Sequence, residues 1–457
     1  MVKEVMKRLL FFIFVIVIVS SRTGLGCQTY GNSPIDDSTV LGLMKDNQIP
    51  GLSLTLIENG KIVFSKGYGK TRGVFGRAVD SETLFQVASI SKPVAAAVAL
   101  QLVEKGVLSL DAPVLEAPVV VSYLPKPYLE SSEKTDSITL HQILNHTSGL
   151  SNNLFPKDKR LVNNPGEKFL YSGIGFDYLT EVIRLSTGKT LQAEALELLF
   201  DKAGMKNSSF KMPFMMKGNV APPSMPVMYH IVVFLVPFLL LVLVFTLLLA
   251  VCGRILKKQK IVQRYFWAVL IAAVAAELII VAVLLVKLVP IVLISAVLFV
   301  AVFLVLTKVV KKQKFAFLAT IFIWIILALI PVQLPFDITP PGESAAYSLV
   351  SNSAELGKFV QCMLDDSQTG GWKTMLKKDL MIKPSEYWGL GIGLCEYEGK
   401  TFAWHTGINT GATSLFVVDL ENKKAVVCVT NGNNGIKAAS ELVAEYLGVD
   451  KNWDVGM

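Results

Sequence analysis

The sequence has little charge and few of the side chains that bind metals. Charged residues make up 18% of the 457 positions, against roughly 25% in ordinary soluble domains, and there are four histidines and five cysteines. No two cysteines have Cys-x-x-Cys spacing, and no cysteine–histidine cluster indicates zinc, so we predict no metal and no cofactor. Apolar residues reach 52% and the mean hydropathy is +0.51. These values argue against a disordered chain and against an ordinary cytosolic enzyme.

The cysteines leave two questions open. Cys27 follows Leu25 and Gly26, which only loosely resembles a lipoprotein cleavage site. Cys395 and Cys428 either form a disulfide or remain free thiols, and their spacing does not choose between these alternatives. Cys252 lies in an apolar run and is interpreted as a packing residue.

The positive charge is concentrated in the apolar parts of the chain. Of a net charge of +8, residues 222–336 contribute ten cations against one acid, and residues 1–22 contribute four cations against one acid. The remaining residues are therefore mildly acidic. Because they contain no basic stripe, we predict no nucleic-acid partner.

Long apolar segments predict a membrane protein. Residues 9–19 form an apolar run behind Lys7 and Arg8, which is typical of a signal peptide or an N-terminal anchor, assigned here to residues 1–27. Four longer segments are each able to cross a bilayer core of about 30 Å. They span residues 228–251, 265–286, 288–307 and 315–334. Their one acid is Glu277, which either has a function or packs as a paired or protonated side chain.

The loops between these segments predict their orientation. Residues 254–264 carry five cations and residues 308–314 carry four. Both loops should face the cytoplasm, so both ends of an insertion over residues 222–336 face outward. We therefore predict a multi-pass protein of the plasma membrane. Its extracytoplasmic domain would be formed by residues 28–221 and 337–457, which an even number of spans places on one side.

Ser89 and Lys92 lie one helical turn apart at the start of a predicted helix over residues 89–105. A serine hydroxyl becomes a nucleophile when a neighbouring base takes its proton, and a buried lysine with a lowered pKa can be that base or position it. Free N–H groups at a helix start also favour a developing oxyanion. Taken alone, however, the Ser-x-x-Lys spacing favours a non-catalytic interpretation, in which the serine is solvated and the lysine lies on the surface.

Further motifs occur in order along both parts of the predicted domain. They are IPGLSLTLIENGKIVFSKGYG (49–69), LFQVASISK (84–92), ITLHQILNHTSGL (138–150), PGEKFLYSGIGFDYL (165–179), AGMKNSSF (203–210), YSLVSNSAELGKFV (347–360), WGLGIGL (388–394), WHTGINTGATSLFVVD (404–419) and VTNGNNG (429–435). With them the sequence resembles the penicillin-recognising serine hydrolase superfamily. The similar branch contains class C β-lactamases, D-alanyl-D-alanine carboxypeptidases and related esterases.

The resemblance implies an α/β (α+β) sandwich, in which an antiparallel sheet is flanked by helices and the first two strands lie beside the last ones. Asn59 and Gly60 join two apolar runs and independently predict a β-hairpin there. A mainly helical subdomain is expected over about residues 107–220. The loop at His146 to Gly149 is interpreted as a structural support of that subdomain and not as a catalytic pair.

The resemblance also implies residue roles. Ser89 matches the acylated serine, Lys92 its partner, and Tyr171 a tyrosine that acts first as general base and then as general acid. Such a base needs a lowered phenol pKa, which we expect an ammonium form of Lys92 to supply.

A third motif, His405, Thr406 and Gly407, is expected on the strand that lines the site. The N–H of Ile408 should pair with that of Ser89 as an oxyanion hole.

Two departures from the family pattern affect the expected substrate. Gly173 replaces the usual asparagine, which removes an amide expected to contact Lys92 and the substrate. His405 stands where β-lactamases usually have lysine, so a fixed positive charge is missing unless the histidine is protonated. Both departures favour a carboxypeptidase or an esterase over an efficient β-lactamase.

We therefore expect a membrane-bound extracytoplasmic serine hydrolase that acts on cell-envelope D-amino-acid peptides or esters through an acyl-enzyme at Ser89. Two alternatives stay open. One is a β-lactam or envelope-ligand sensor that is acylated without turnover, although the predicted inward loops are too short for an output domain. The other is a non-catalytic envelope scaffold.

Overall fold

The computed structural model describes residues 33–71, 76–114, 128–129, 132–153, 160–211, 219–226, 333–335, 342–365 and 370–453. The chain divides into two compact units, residues 1–225 with 333–457 and residues 226–332. The N-terminal segment, Cys27, Cys252, Glu277 and the four predicted membrane spans lie outside the described residues. Among the helices that are described, none combines the length and the hydropathy of a membrane span.

An eight-stranded antiparallel sheet forms the framework of the first unit. The strands of the chain are β1 (Gly51–Glu58), β2 (Lys61–Gly69), β3 (Phe85–Gln86), β4 (Ser224–Pro226), β5 (Gln333–Pro335), β6 (Val350–Ser351), β7 (Leu380–Lys383), β8 (Glu386–Trp388), β9 (Gly393–Tyr397), β10 (Lys400–Asn409), β11 (Ala412–Asp419) and β12 (Lys424–Thr430). The large sheet has the order β2-β1-β12-β11-β10-β9-β8-β7, while β3 pairs with β6 and β4 with β5. The first two strands thus lie beside the last ones, which confirms the predicted topology.

The hairpin between β1 and β2 follows from its two turn residues. Asn59 has φ +50° and Gly60 has φ +72°. A two-residue hairpin turn with both residues in the left-handed region matches the twist of its strands, and asparagine followed by glycine adopts it at low cost. The hairpin predicted from the sequence is confirmed.

Helices cover both faces of the sheet. They are α1 (Asp37–Asp46), α2 (Ser91–Glu104), α3 (Glu133–Asp136), α4 (Leu140–Leu144), α5 (Gly173–Thr187), α6 (Leu191–Ala195), α7 (Asp201–Ala203), α8 (Ser353–Leu364), α9 (Gly370–Met375) and α10 (Gly435–Leu447). One hydrophobic core lies between the sheet and helices α1 and α10, and the other includes α2, α4, α5 and α8. On β12, Val426 faces the first core and Val427 the second, as the two-residue period of a strand requires.

The cysteine alternatives are resolved in favour of free thiols. Cys395 lies on β9 and Cys428 on β12, and both are unpaired. Strands β10 and β11 lie between them. Neighbouring strands are about 4.8 Å apart, so three strand steps exceed the roughly 4.4–6.8 Å between Cα atoms that a disulfide allows.

Candidate active site

Ser89 lies in a tight turn that opens helix α2. The turn is a 3₁₀ segment, Ala88–Ile90, and Ala88 has φ +48°. A side chain in this left-handed region costs about 1–3 kcal/mol, so the surrounding contacts must hold the turn in place. The N–H of Val87 donates to the Leu349 carbonyl at 3.1 Å, and Ser414 Oγ donates to the Val87 carbonyl at 2.7 Å. The backbone next to the serine is therefore held by segments far apart in the sequence.

Lys92 contacts the serine directly. Its Nζ donates to Ser89 Oγ at 2.9 Å and to the Ala346 carbonyl at 2.8 Å. The side chain is 2% exposed. Burial lowers the pKa of Lys92 to about 7, against the opposing charge of Asp177. Near neutral pH a large fraction of Lys92 is thus an uncharged amine that can accept the serine proton.

Tyr171 lies beside Lys92, but the lowered phenol pKa expected for a general base is not found. Burial raises the pKa of the Tyr171 phenol well above its ordinary value, and the neighbouring Ser89 side chain opposes this only partly. Lys92 Nζ lies over the tyrosine ring, 4.9 Å from its centroid. The sequence-based prediction assumed a charged lysine, whereas burial favours the neutral form of both groups. Tyr171 is therefore a proton donor at neutral pH.

Strand β10 brings the third motif to the serine. A Cβ atom on Gly407 would lie 2.2 Å from the Val87 carbonyl and 3.2 Å from the Ser89 nitrogen. Only glycine lets the strand come this close. Strand β9 pairs with β10 over residues 400–404, so residues 405–409 have no partner strand on that edge in the described part of the chain. Ile408 is 45% exposed there, and its N–H as an oxyanion donor stays a prediction.

His405 is buried and uncharged. Its Nδ1 lies 2.7 Å from the Thr406 carbonyl, and because a carbonyl only accepts, Nδ1 carries the proton. Burial, helped by the charge of Lys92, lowers the pKa of His405 to about 3. The site therefore lacks the positive charge that a lysine at this position would give. Nε2 of His405 is left as an acceptor without a partner among the described residues.

His146 packs against Tyr171 and the backbone that follows it. Its Nδ1 accepts a hydrogen bond from the Ser172 N–H at 3.1 Å, and its ring lies 4.4 Å from the Tyr171 ring. Burial lowers the pKa of His146 well below its ordinary range, and the charge of Lys92 adds to this effect. His146 contacts the tyrosine and its backbone, while the described structure shows no hydrogen bond from it to Ser89.

Gly173 has an amide neighbour that the sequence did not indicate. A Cβ at Gly173 would lie 3.4 Å from Asn152 Oδ1 and 4.0 Å from the Ala346 Cβ, which is ordinary contact. The Asn152 side chain accepts from the Gly173 N–H at 2.8 Å and donates to the Tyr171 carbonyl at 3.2 Å. Asn152 thus fixes the backbone on both sides of Ser172.

Two further polar residues are connected to Lys92 through Ala346, and neither was identified from the sequence. Asp177 is buried on α5, and Ser344 donates to its Oδ1 at 2.5 Å. A carboxylate among the apolar residues of the buried helix face was the available signal for Asp177. Ser344 had no such signal.

Within the described ranges, no group of three His, Cys, Asp or Glu side chains is placed to bind a metal.

Comparisons with known proteins identify relatives by sequence and by fold. Residues 37–217 match the family model described as Beta-lactamase. Esterase EstB of Burkholderia gladioli is 28% identical over 198 residues, which is 36% of this chain and 48% of the relative. The chain spans about half the length or less of the curated relatives it matches.

Two solved structures share the fold. An octameric penicillin-binding protein homologue from Pyrococcus abyssi has a TM-score of 0.57 at 18% identity, over 91% of this chain and 78% of that chain. A D-alanine carboxypeptidase, AmpC, from Burkholderia cenocepacia has a TM-score of 0.56 at 16% identity, over 90% of this chain and 98% of that chain.

Over residues 37–217 the chain is similar to the β-lactamase family of serine hydrolases. The family match contains Ser89, Lys92 and Tyr171, whereas the third motif on β10 lies outside it. The β-lactamase-like fold nevertheless continues through the second part of the chain, since β12 pairs with β1 and thereby joins β11 and β10 to the first two strands. The β-lactamase-like site is therefore assembled from both parts.

Proposed function

We propose that the chain hydrolyses an ester or amide through an acyl-enzyme on Ser89. The observation that carries this proposal is the 2.9 Å hydrogen bond between Lys92 Nζ and Ser89 Oγ. A lysine with a pKa of about 7 is uncharged often enough to act as a base at neutral pH.

In the first step, Ser89 Oγ attacks the substrate carbonyl carbon while its proton passes to Lys92. The tetrahedral adduct then collapses, the bond to the leaving group breaks, and the Tyr171 phenol gives the leaving group a proton. The lysine ammonium returns a proton to Tyr171, so the proton count balances. In the second half of the reaction, water attacks the acyl carbonyl carbon and Lys92 accepts its proton. The bond between the acyl carbon and Ser89 Oγ then breaks, the acid leaves, and the Lys92 ammonium returns the proton to Ser89 Oγ.

The neutral His405 narrows the substrate class. A D-alanyl-D-alanine peptide or a β-lactam carries a carboxylate close to the bond that is cleaved, and binding it buried without a cation is costly. Because burial lowers the pKa of His405 to about 3, this residue does not provide that cation at physiological pH. An ester without a carboxylate near the reacting carbonyl fits better. Among cell-envelope substrates, a D-alanyl ester on an envelope polymer has this chemistry.

The proposal includes an extracytoplasmic position at the plasma membrane, with four membrane helices within residues 222–336. Its support is the sequence, which has four apolar segments and two cationic loops between them. In addition, β4 and β5 pair with each other, so the chain segments on either side of residues 227–332 lie together. An insertion with an even number of spans requires its two ends to be on one side.

Labelling with a fluorescent fluorophosphonate tests the nucleophile. The full-length protein in membranes should be labelled, and Ser89→Ala should abolish the label because the attacking oxygen is gone. Ser148→Ala is the matched control, since it removes the serine that follows His146 and Thr147 and should leave the label. Labelling of Ser89→Ala would contradict the assignment.

The same probe separates the alternatives. Steady release of product from an ester supports an enzyme, whereas one acyl group per chain without further turnover supports a sensor. A membrane-impermeant form of the probe should label intact cells if the site faces outward. Labelling that appears only after the cells are permeabilised would contradict the extracytoplasmic position.

A further inference from the structure

A chain of hydrogen bonds runs from Lys92 to a buried carboxylate. Lys92 Nζ donates to the Ala346 carbonyl at 2.8 Å. The N–H of the same alanine donates to Ser344 Oγ at 3.1 Å, and the Ser344 hydroxyl donates to Asp177 Oδ1 at 2.5 Å. All four residues are buried. A serine hydroxyl has one donor and two acceptor lone pairs, so Ser344 accepts from Ala346 and donates to Asp177 at the same time.

The segment that carries Ser344 and Ala346 is attached at several other points. The N–H of Ala345 donates to Thr180 Oγ1 at 2.8 Å, and the N–H of Ser344 donates to Ser348 Oγ at 2.8 Å. The first bond holds the segment to α5, the second lies within the segment, and neither involves Asp177 or Lys92. The bond from Ser344 to Asp177 is therefore separable from the general attachment of the segment.

Four titratable groups face Lys92 from the elements packed around it. They are Asp177 of α5, Tyr171 just before α5, His146 after α4 and His405 of β10. The lowered pKa values of both histidines and the raised pKa of Tyr171 favour the neutral forms of these three groups near neutral pH. Burial raises the pKa of Asp177 to about 6, against the opposing effects of Ser344 and Lys92. Asp177 thus changes charge in nearly the same range as Lys92.

We propose that Asp177 and Ser344 are positioning residues for Lys92. Ser344 holds Ala346 so that its carbonyl fixes the lysine amine beside Ser89. Asp177 supplies the buried negative charge that stabilises the ammonium formed when Lys92 takes the serine proton. The inference rests on the proposed function, because it takes Lys92 as the base in acylation.

The charge and the hydrogen bond predict different effects. Asp177→Asn keeps the size of the side chain and an acceptor for Ser344, but it removes the negative charge. The pKa of Lys92 should then fall, and the pH below which acylation declines should move down by about one unit. Ser344→Ala keeps the carboxyl group but releases Ala346. Acylation should then slow about tenfold across the pH range, since a misplaced base acts less well.

The test measures the rate constant of Ser89 labelling by the fluorophosphonate from pH 5 to 9, with the full-length protein in detergent. Thr180→Val is the matched control, because it removes one hydrogen bond from the same segment and should leave the pH dependence in place. Ser344→Thr keeps the hydroxyl and should restore the rate lost in Ser344→Ala. An Asp177→Asn profile that coincides with the native one would overturn the role of the charge. A native rate in Ser344→Ala would overturn the role of the hydrogen bond.

A second measurement separates this inference from the proposed function. The pKa of Lys92 is read from the NMR signal of ¹³C-labelled lysine that disappears in Lys92→Met. It should fall in Asp177→Asn whether or not Ser89 reacts with any probe. Native protein without labelling would refute the proposed function, while an unchanged lysine pKa in Asp177→Asn would refute the role of Asp177.

Discussion

Lys92 lies between two flanks of the site, and only one flank has several buried polar atoms without hydrogen-bond partners in the described structure. On one flank, Asp177, Ser344 and Ala346 form a continuous hydrogen-bond chain. The other flank consists of aromatic and imidazole rings with centroids 4.4 to 6.2 Å apart, together with the neighbouring Thr406. Its buried polar atoms without a partner in the described structure are His146 Nε2, Tyr171 Oη, Trp388 Nε1, His405 Nε2 and Thr406 Oγ1.

This difference indicates a division of roles. Most buried polar groups in proteins have partners, and leaving one without a partner costs about 1–3 kcal/mol. Several such atoms in one cluster therefore indicate that this flank is kept for function at a cost in stability. The flank with Asp177 holds the lysine in place and favours its charged form. The aromatic flank has donors on Tyr171 and Trp388 and an acceptor on His405.

The largest effect is expected from Lys92→Met, which removes the group shared by both flanks. Without the base, kcat/KM for an ester should fall by about 10²–10⁴. The folded protein should not lose stability in proportion, because methionine fills a similar volume without a buried amine. Lys105→Met is the matched control at the exposed end of the same helix, and it should retain activity. A loss below tenfold in Lys92→Met would contradict Lys92 as the base.

A somewhat smaller effect, about 10²-fold in kcat/KM, is expected from Tyr171→Phe on the aromatic flank. The hydroxyl has no partner among the described residues, so its removal should leave the free energy of unfolding unchanged or raise it by up to about 1 kcal/mol. Thermal or denaturant unfolding measures this. Tyr68→Phe is the converse control, because Tyr68 donates to Asp37 at 2.8 Å and should lose stability but keep activity. Loss of both properties in Tyr171→Phe would mean that the hydroxyl has a structural role.

The smallest effect is expected from His405→Asn, about twofold to tenfold in kcat/KM, which is the range for one hydrogen bond. A pKa of about 3 keeps His405 neutral above pH 5, whereas Lys92, with a pKa of about 7, gains a proton as the pH falls. Activity should therefore decline below about pH 7 in the native protein and in His405→Asn alike. A pH–rate profile checks this. A shift of the decline in the variant would assign it to the histidine.

The local parts of the site could be predicted from the sequence. The spacing of Ser89 and Lys92 places them on one side of a helix start, and Asn59 and Gly60 require a left-handed turn whatever surrounds them. The resemblance implied that Gly407 lies next to Ser89. The structure shows why glycine is needed there, since a Cβ atom would collide with the Val87 carbonyl.

The electrostatic parts could not be predicted, because they depend on burial and on contacts distant in sequence. The spacing of Tyr171 and Lys92 does not tell which of them is more desolvated, and the expected direction of the Tyr171 pKa was wrong for that reason. Ala346 acts through its carbonyl, which every residue has, so no side-chain pattern indicated it.

The hydrogen bond between Lys92 and Ala346 has a consequence for the order of folding. Its partners are 254 positions apart, and β1 pairs with β12 across an even longer stretch of chain. At about 5–20 residues per second, roughly 20–75 s of synthesis separate the first strand from its last neighbour. During that time the hairpin of β1 and β2 has an uncovered edge and the serine has no fixed base. The newly made first part should therefore depend on a chaperone, and catalytic competence should arise in a late step, after residues 227–332 have been synthesised.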